Sequence, residues 1–247
     1  MALAPDFVFD LPLLQAISDW QRGGNSVKRG AALKQACTNA NLPINYRESP
    51  LVCFRQIALP KGGVWALLGE DNLPEKISSW TLDLVVAKTF KGGVPPQNGG
   101  FQGVIFNIHP PAGSVIVNLR EVYRDPAFQA ALAQHEASID GYHEGAGRWG
   151  DSQSEVVLEI GTVNQQDVFS LGEWSSSPGE IVDMAAVVMH GTEHIPQEER
   201  DALLLHAEKA AGPAWLEMEP TKRVLARLKS PAEFLREVKK LQEQAKK

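Results

Sequence analysis

Hydrophobic spacing changes twice along this chain, and that change of period constrains the fold more than any single motif does. Leu11, Leu13, Leu14, Ile17 and Trp20 follow helical spacing over residues 10–22, with Gly23-Gly24 as a stop. Asn25 or Ser26 is placed to cap a second helix, running through Ala31, Leu33 and Ala36 to about Asn39. Between 51 and 174 short apolar runs bounded by Gly and Pro take over. They predict strands at 51–59, closed by Pro60-Lys-Gly-Gly, and at 77–81, 101–109, 114–119, after Glu155, and at 167–174. Helical spacing interrupts them at 82–90 (Leu82, Val85, Val86, Phe90), where Thr81 or Ser79 is available as a cap, and at 124–139. Residues 91–100 hold four glycines and two prolines and read as a loop. From 175 on the pattern is helical again, at 179–190, 196–211, 221–228 and from 230 to the end. The last of these opens on Ser230-Pro231-Ala232-Glu233, a cap followed by proline in the first turn and an acid at the third position. Helices, then strands, then helices is the order of an α+β protein rather than of alternating βαβ units.

The 247 residues suffice for one large or two modest domains. No apolar run approaches the ~18 residues of a membrane span, so no membrane partner is expected. The start, Met1-Ala-Leu-Ala-Pro-Asp, has no basic region ahead of an apolar one and does not read as a secretory signal. The expectation is a cytoplasmic protein, or one delivered into a target cell without such a signal. Cys37 and Cys53 lie in apolar surroundings and are expected to pack as small hydrophobes. The net charge of −6 is unevenly spread. Nine Lys/Arg against three Asp/Glu give 221–247 a local +6, which leaves −12 for the rest. Such a tail suits a solvated terminal helix, or contact with nucleic acid or an acidic partner.

Two motif matches fail on context. Gly145-Ala-Gly-Arg-Trp-Gly150 fits the dinucleotide fingerprint letter for letter, but it follows a helix and precedes a strand, the reverse of what that turn needs. His190 and His194 have helical i, i+4 spacing, yet position 191 is glycine where a zinc protease carries glutamate, and no third ligand stands near. No metal site is expected. Neither a nucleophile elbow nor a phosphate loop ending in Lys-Ser/Thr occurs.

Three polar features remain inside the strand-rich part. Arg55 interrupts an apolar strand and must find a partner or face a cleft, since burying it bare is expensive. Ser79-Trp80-Thr81 ends a strand that leads into a helix. The stretch from Gly147 to Gly161 is a polar, glycine-bearing loop running into Val156-Val-Leu-Glu-Ile. Gln153 and Glu155, two residues apart, would share a face if both lay on that strand.

In this order and these contexts the three features resemble the R-S-E class of mono-ADP-ribosyltransferases, in its C3-like and pierisin-like Gln-x-Glu variant. The resemblance covers roughly residues 51–174. It departs from the family in carrying Ser-Trp-Thr in place of Ser-Thr-Ser, and in placing Trp149 four residues before Gln153. It implies an α+β split β-sandwich, with a catalytic domain over 1–175, a helical N-terminal part over 1–45, and a C-terminal helical accessory region over 176–247. It implies NAD as co-substrate, held by Arg55, Gln56, Ser79, Trp80, Thr81 and Phe90. Ser79 would hold the catalytic Glu155, and Glu155 would stabilise the cation left on the ribose as nicotinamide departs. Gln153 and Trp149 would engage an acceptor other than arginine, either a protein side chain or a nucleobase. A phage, toxin–antitoxin or defence-system enzyme fits, with an antitoxin or other protein partner at the C-terminal helices. An NAD glycohydrolase and a non-catalytic binding module on a degenerate transferase fold are the alternatives.

Overall fold

A computed structural model describes residues 7–23, 26–174 and 176–245. Residues 1–6, on which the secretory-signal reading rested, lie outside the described residues, as do Gly24 and Asn25, offered above as stop and cap. Two helices come first, α1 (Leu11–Gly23) and α2 (Val27–Asn39), the second capped by the Ser26 hydroxyl. Then come β1 (Cys53–Pro60), α3 (Lys61–Glu70), β2 (Asn72–Pro74), β3 (Ile77–Thr81) and α4 (Leu84–Thr89). The loop 91–100 leads to β4 (Phe101–Ile108), β5 (Val115–Asn118), α5 (Leu119–Arg124), α6 (Pro126–His135) and the one-turn α7 (Ala146–Trp149). After these follow β6 (Glu155–Glu159), β7 (Thr162–Asn164), β8 (Val168–Trp174), α8 (Pro178–His190), α9 (Gln197–Ala210), β9 (Pro213–Trp215) and α10 (Met218–Gln244).

The protein is α+β with an antiparallel sheet of seven strands, ordered β5-β6-β3-β1-β4-β8-β9. β2 and β7 form a separate two-stranded ribbon. Within the large sheet the pairing is uneven. β1 and β4 match over eight residues and β3 and β6 over five, whereas β1 meets β3 at one pair, Phe54 with Thr81. The sheet is thus two halves, β5-β6-β3 and β1-β4-β8-β9, hinged at a single point.

Two cores follow from this. Trp20, Leu13, Leu14 and Ile17 of α1 pack with Leu33, Phe128, Val117 and Val157 beneath the first half. The opposite face of that half, Trp80, Val156 and Leu158, joins Val104, Phe106 and Leu171 of the second half in the other core. Leu67 and Leu68 of α3 and Leu225 and Ala232 of α10 close it. Each fully buried side chain of this size contributes about 1.5–3 kcal/mol. Both cysteines are free and buried, Cys37 in one core and Cys53 in the other, and burial pushes their thiols up to about 12 and about 11.

Several elements differ from expectation. Pro60-Lys-Gly-Gly does not close a turn but opens α3, with Pro60 as its cap. The helix expected over 82–90 is shorter and is capped by Asp83, not by Thr81 or Ser79. The helix expected over 124–139 is α6, which starts from Asp125 as its cap and ends at His135, and the short α5 ahead of it was not expected. Part of the polar loop at 147 is helical, as α7. The two C-terminal helices expected at 221–228 and 230 onward are one, with Pro231 inside α10. Among the described residues no helix is long and apolar enough to cross a membrane.

Candidate functional site

The strand β6 begins at Glu155, opposite Thr81 of β3, so Ser79 lies two residues along the same face. That face is covered by α1. Glu155 is 5% exposed, and its Oε1 accepts from the Ser79 hydroxyl and from Trp20 Nε1, the latter at 2.7 Å. Arg55, from β1, reaches across the one-pair hinge. Its Nη1 donates to the Ser79 carbonyl at 2.8 Å, and its Nε lies 3.2 Å from Glu75 Oε2. Glu75, in the link between β2 and β3, is as buried as Arg55. A guanidinium at that hinge is held because it donates in several directions at once.

The electrostatics are set by burial. Lost hydration raises the Glu155 carboxyl above its ordinary range; the Ser79 and Trp20 hydrogen bonds and the Arg55 charge oppose this. Burial also lowers Arg55, against the pull of Glu75 and Glu155. The neighbouring Tyr123 is pushed up, first by burial and then by the negative charge of Glu155. Its hydroxyl donates to Gln21 Oε1 at 2.7 Å, and Gln21 Nε2 donates to the Gly150 carbonyl, so α1 and α5 together hold the turn that precedes Glu155.

Arg55, Ser79 and Glu155, far apart in the chain, therefore converge. The other residues singled out by sequence are placed differently. Gln153 is not on the strand. It lies in a turn, Ser154 has a φ of 43°, and the alternation that would align Gln153 with Glu155 is broken there. The Gln153 carbonyl accepts from Thr81 Oγ1 at 2.7 Å, which fastens the turn to β3. Trp80 faces the second core, 1% exposed, with its Nε1 on the Ser78 hydroxyl, so it is held away from Glu155. Trp149 is not a loop residue but ends α7, half-buried, with the Arg148 guanidinium 4.7 Å from its ring centroid. Gln56, on the other face of β1 from Arg55, donates to the Gly93 carbonyl at 2.7 Å. Phe90 is exposed where the loop 91–100 begins, with Lys91 Nζ 5.7 Å from its ring centroid.

That loop is strapped down. Trp174 Nε1 donates to the Pro95 carbonyl of the loop, and Trp215 Nε1 to the Lys88 carbonyl of α4 just ahead of it. A Cβ at Gly103 would lie 2.7 Å from Pro95 and 3.0 Å from Trp215, and one at Gly172 would lie 2.8 Å from Val94. Glycine on β4 and β8 is what lets the strap lie this close.

Sequence reasoning missed Trp20, Glu75 and Gln21. Trp20 had only a place in an apolar stripe, and nothing local announced that its indole N–H would meet a carboxylate. A groove of about 750 Å³ lies between α1 and α2, lined by Asp19, Arg22, Arg29 and Gln35 among others; none of the Arg55, Ser79 and Glu155 group lines it. Among the described residues no group of three or more His, Cys, Asp or Glu is placed to hold a metal ion. No protein-family model, curated protein or solved structure matches the chain.

Proposed function

We propose that this protein is an NAD-dependent mono-ADP-ribosyltransferase acting on a non-arginine acceptor. The observation that carries the reading is the buried Glu155 held by the Ser79 hydroxyl, with Arg55 on the same serine's carbonyl at the hinge of the sheet. The two-halved sheet with a shared core supports a split β-sandwich for the same reason. In this reading the bond from nicotinamide to ribose C1′ breaks, the acceptor atom bonds to C1′, and the acceptor's proton passes to solvent. Glu155 stabilises the positive charge that develops on the ribose, and Ser79 and Trp20 keep the carboxylate aimed. A preorganised charge of this kind is worth about 10² or more in rate. Arg55 contacts a phosphate or ribose of NAD through the donors its buried partners leave. Trp80, turned into the core, takes no part beyond packing.

A second reading has its own observation. Glu155 is nearly closed off and receives two hydrogen bonds from the protein, as a purely structural carboxylate would. On this reading the chain is a non-catalytic binding module.

The experiment supplies NAD labelled in the adenylate to the purified protein, with cell protein and nucleic-acid fractions offered separately and a Glu155→Gln control. The transferase reading expects label on one fraction, reduced about 10²-fold or more in the control. Nicotinamide release without transfer would make the protein a glycohydrolase. Folded protein that neither transfers label, releases nicotinamide nor binds NAD would leave the structural carboxylate.

A further inference from the structure

The β8 and β9 strands pair antiparallel, Trp174 opposite Pro213, so everything between them is an insertion at the tip of a β-hairpin. The insertion is the helical pair α8–α9. Its inner side is closed by Val182 and Ala186 of α8 and Ala207 of α9. Its outer side is apolar. Met184, Val187 and Val188, at i, i+3 and i+4, form a stripe along α8, Val188 being 85% exposed, and Met189 and Leu205 are exposed as well. An apolar stripe facing water is a binding surface or a liability. Its surroundings give it a sign. Residues 176–212 carry seven acidic side chains against two basic ones, a net −5, and one of the two, Arg200, is already engaged with Asp183 at 2.6 Å.

The complementary surface is on the same chain. The buried seam of α10 runs through Thr221, Leu225 and Ala232 onto α3 and β8, and Arg236 ends it by donating to the Gly69 carbonyl. Off that seam lies a second stripe, Phe234, Val238 and Leu241, at i, i+4 and i+7, with Phe234 68% exposed. Basic charge stands beside this stripe: Lys222, Arg223, Arg227 and Lys229 precede it on α10, whereas over 230–245 three Lys/Arg balance three Asp/Glu.

We propose that the α8–α9 insertion of one copy receives α10 of a second copy, apolar stripe on apolar stripe, with the acidic insertion meeting the basic residues that precede the Phe234 stripe. If each copy both gives and receives, the contact closes as a two-fold dimer with two equivalent junctions. Opposite charge sets the orientation and speeds encounter, while the Met/Val and Phe/Leu stripes supply the buried area. Methionine and valine on the receiving side suit this, since an adaptable thioether fills gaps around an aromatic ring.

The test is sedimentation velocity on the full chain over on the order of 1 to 100 µM, the range in which weak self-association shows. Val188→Lys and Phe234→Glu each place a like charge opposite the partner surface. Both positions are exposed, so circular dichroism should be unchanged. Wild type is expected to self-associate, and less so at about 0.5 M salt, where charges are screened within a few ångströms. Each variant alone should weaken association about tenfold or more. A one-to-one mixture of the two should recover it, because the intact insertion of one meets the intact helix end of the other. A wild type that stays monomeric across the range overturns the proposal. So does association insensitive to Val188→Lys, which would mean helix end on helix end, or insensitive to Phe234→Glu, which would mean insertion on insertion. Failure of the mixture to recover overturns it as well.

Discussion

At the scale of single residues the protein places a carboxylate where its charged form is costly. Glu155 is closed in by α1, and its carboxyl is raised by lost hydration despite two hydrogen-bond donors and a nearby guanidinium. A carboxyl raised on folding binds its proton more tightly in the folded state than in the unfolded chain. Stability from that source is present in acid and is lost as pH climbs from the ordinary carboxylate range through the folded value. Glu155→Gln keeps an oxygen for Trp20 and Ser79 and has nothing to titrate. Its melting temperature relative to wild type should therefore rise as pH climbs above about 4.5; parallel curves for the two proteins would contradict the raised carboxyl. The proposed chemistry needs the opposite form, so transferase activity should climb with pH through the same window. Arg55 was legible as a charge that must find partners, and Ser79 and Glu155 as polar residues at strand ends. Trp20 and Glu75 were not, because a hydrogen bond spanning 135 residues leaves no trace in local spacing.

At the scale of elements, local rules worked where the element's own residues decide it and failed where packing does. β3 has the limits its alternation predicts, and α2 starts from Ser26 as the cap chemistry requires. α3 was missed because Gly62 and Gly63 sit in its first turn, each costing about 1 kcal/mol against alanine in a helix. Burial of Leu67 and Leu68 against α10 outweighs that cost. The Ser230-Pro231 start was misread for the same reason. Ala232 packs against Gly69, where an added Cβ would lie 3.0 Å from the Ala232 carbonyl oxygen, and this contact holds α10 on either side of the proline. Proline in a helix interior gives up one backbone hydrogen bond and crowds the preceding turn. Pro231→Ala should thus stabilise the protein by about 1–3 kcal/mol, read from the urea midpoint; a loss of stability would show that the proline sets a bend the packing uses.

At the scale of the whole molecule the decisive feature is the hinge between the two halves of the sheet. One backbone pair joins β1 to β3, the side chain of Arg55 adds a tie through the Ser79 carbonyl and Glu75, and the core of Trp80, Val156, Val104 and Phe106 spans both halves. The core beneath α1 belongs to the first half alone while the other core is common to both, so the two halves should differ in how readily they open. Hydrogen exchange is expected to give β1–β4 amides and β3–β6 amides two distinct protection levels, with Arg55→Ala lowering the barrier between them. Breaking that buried pair should cost about 3–5 kcal/mol, since Glu75 is left buried without its cation. A single uniform protection level in the wild type would count against halves of unequal stability.

Sequence alone determined the order of helices, strands and helices, because hydrophobic period is a local property of the chain. It also marked Arg55, Ser79 and Glu155 as polar residues on strands. Only the tertiary structure decided that these three meet, that α1 covers Glu155 with Trp20, and that Trp80 and Gln153 turn elsewhere. A strand's face is set by its register with a partner far away in the chain, and the cost of burying a charge depends on what folds over it.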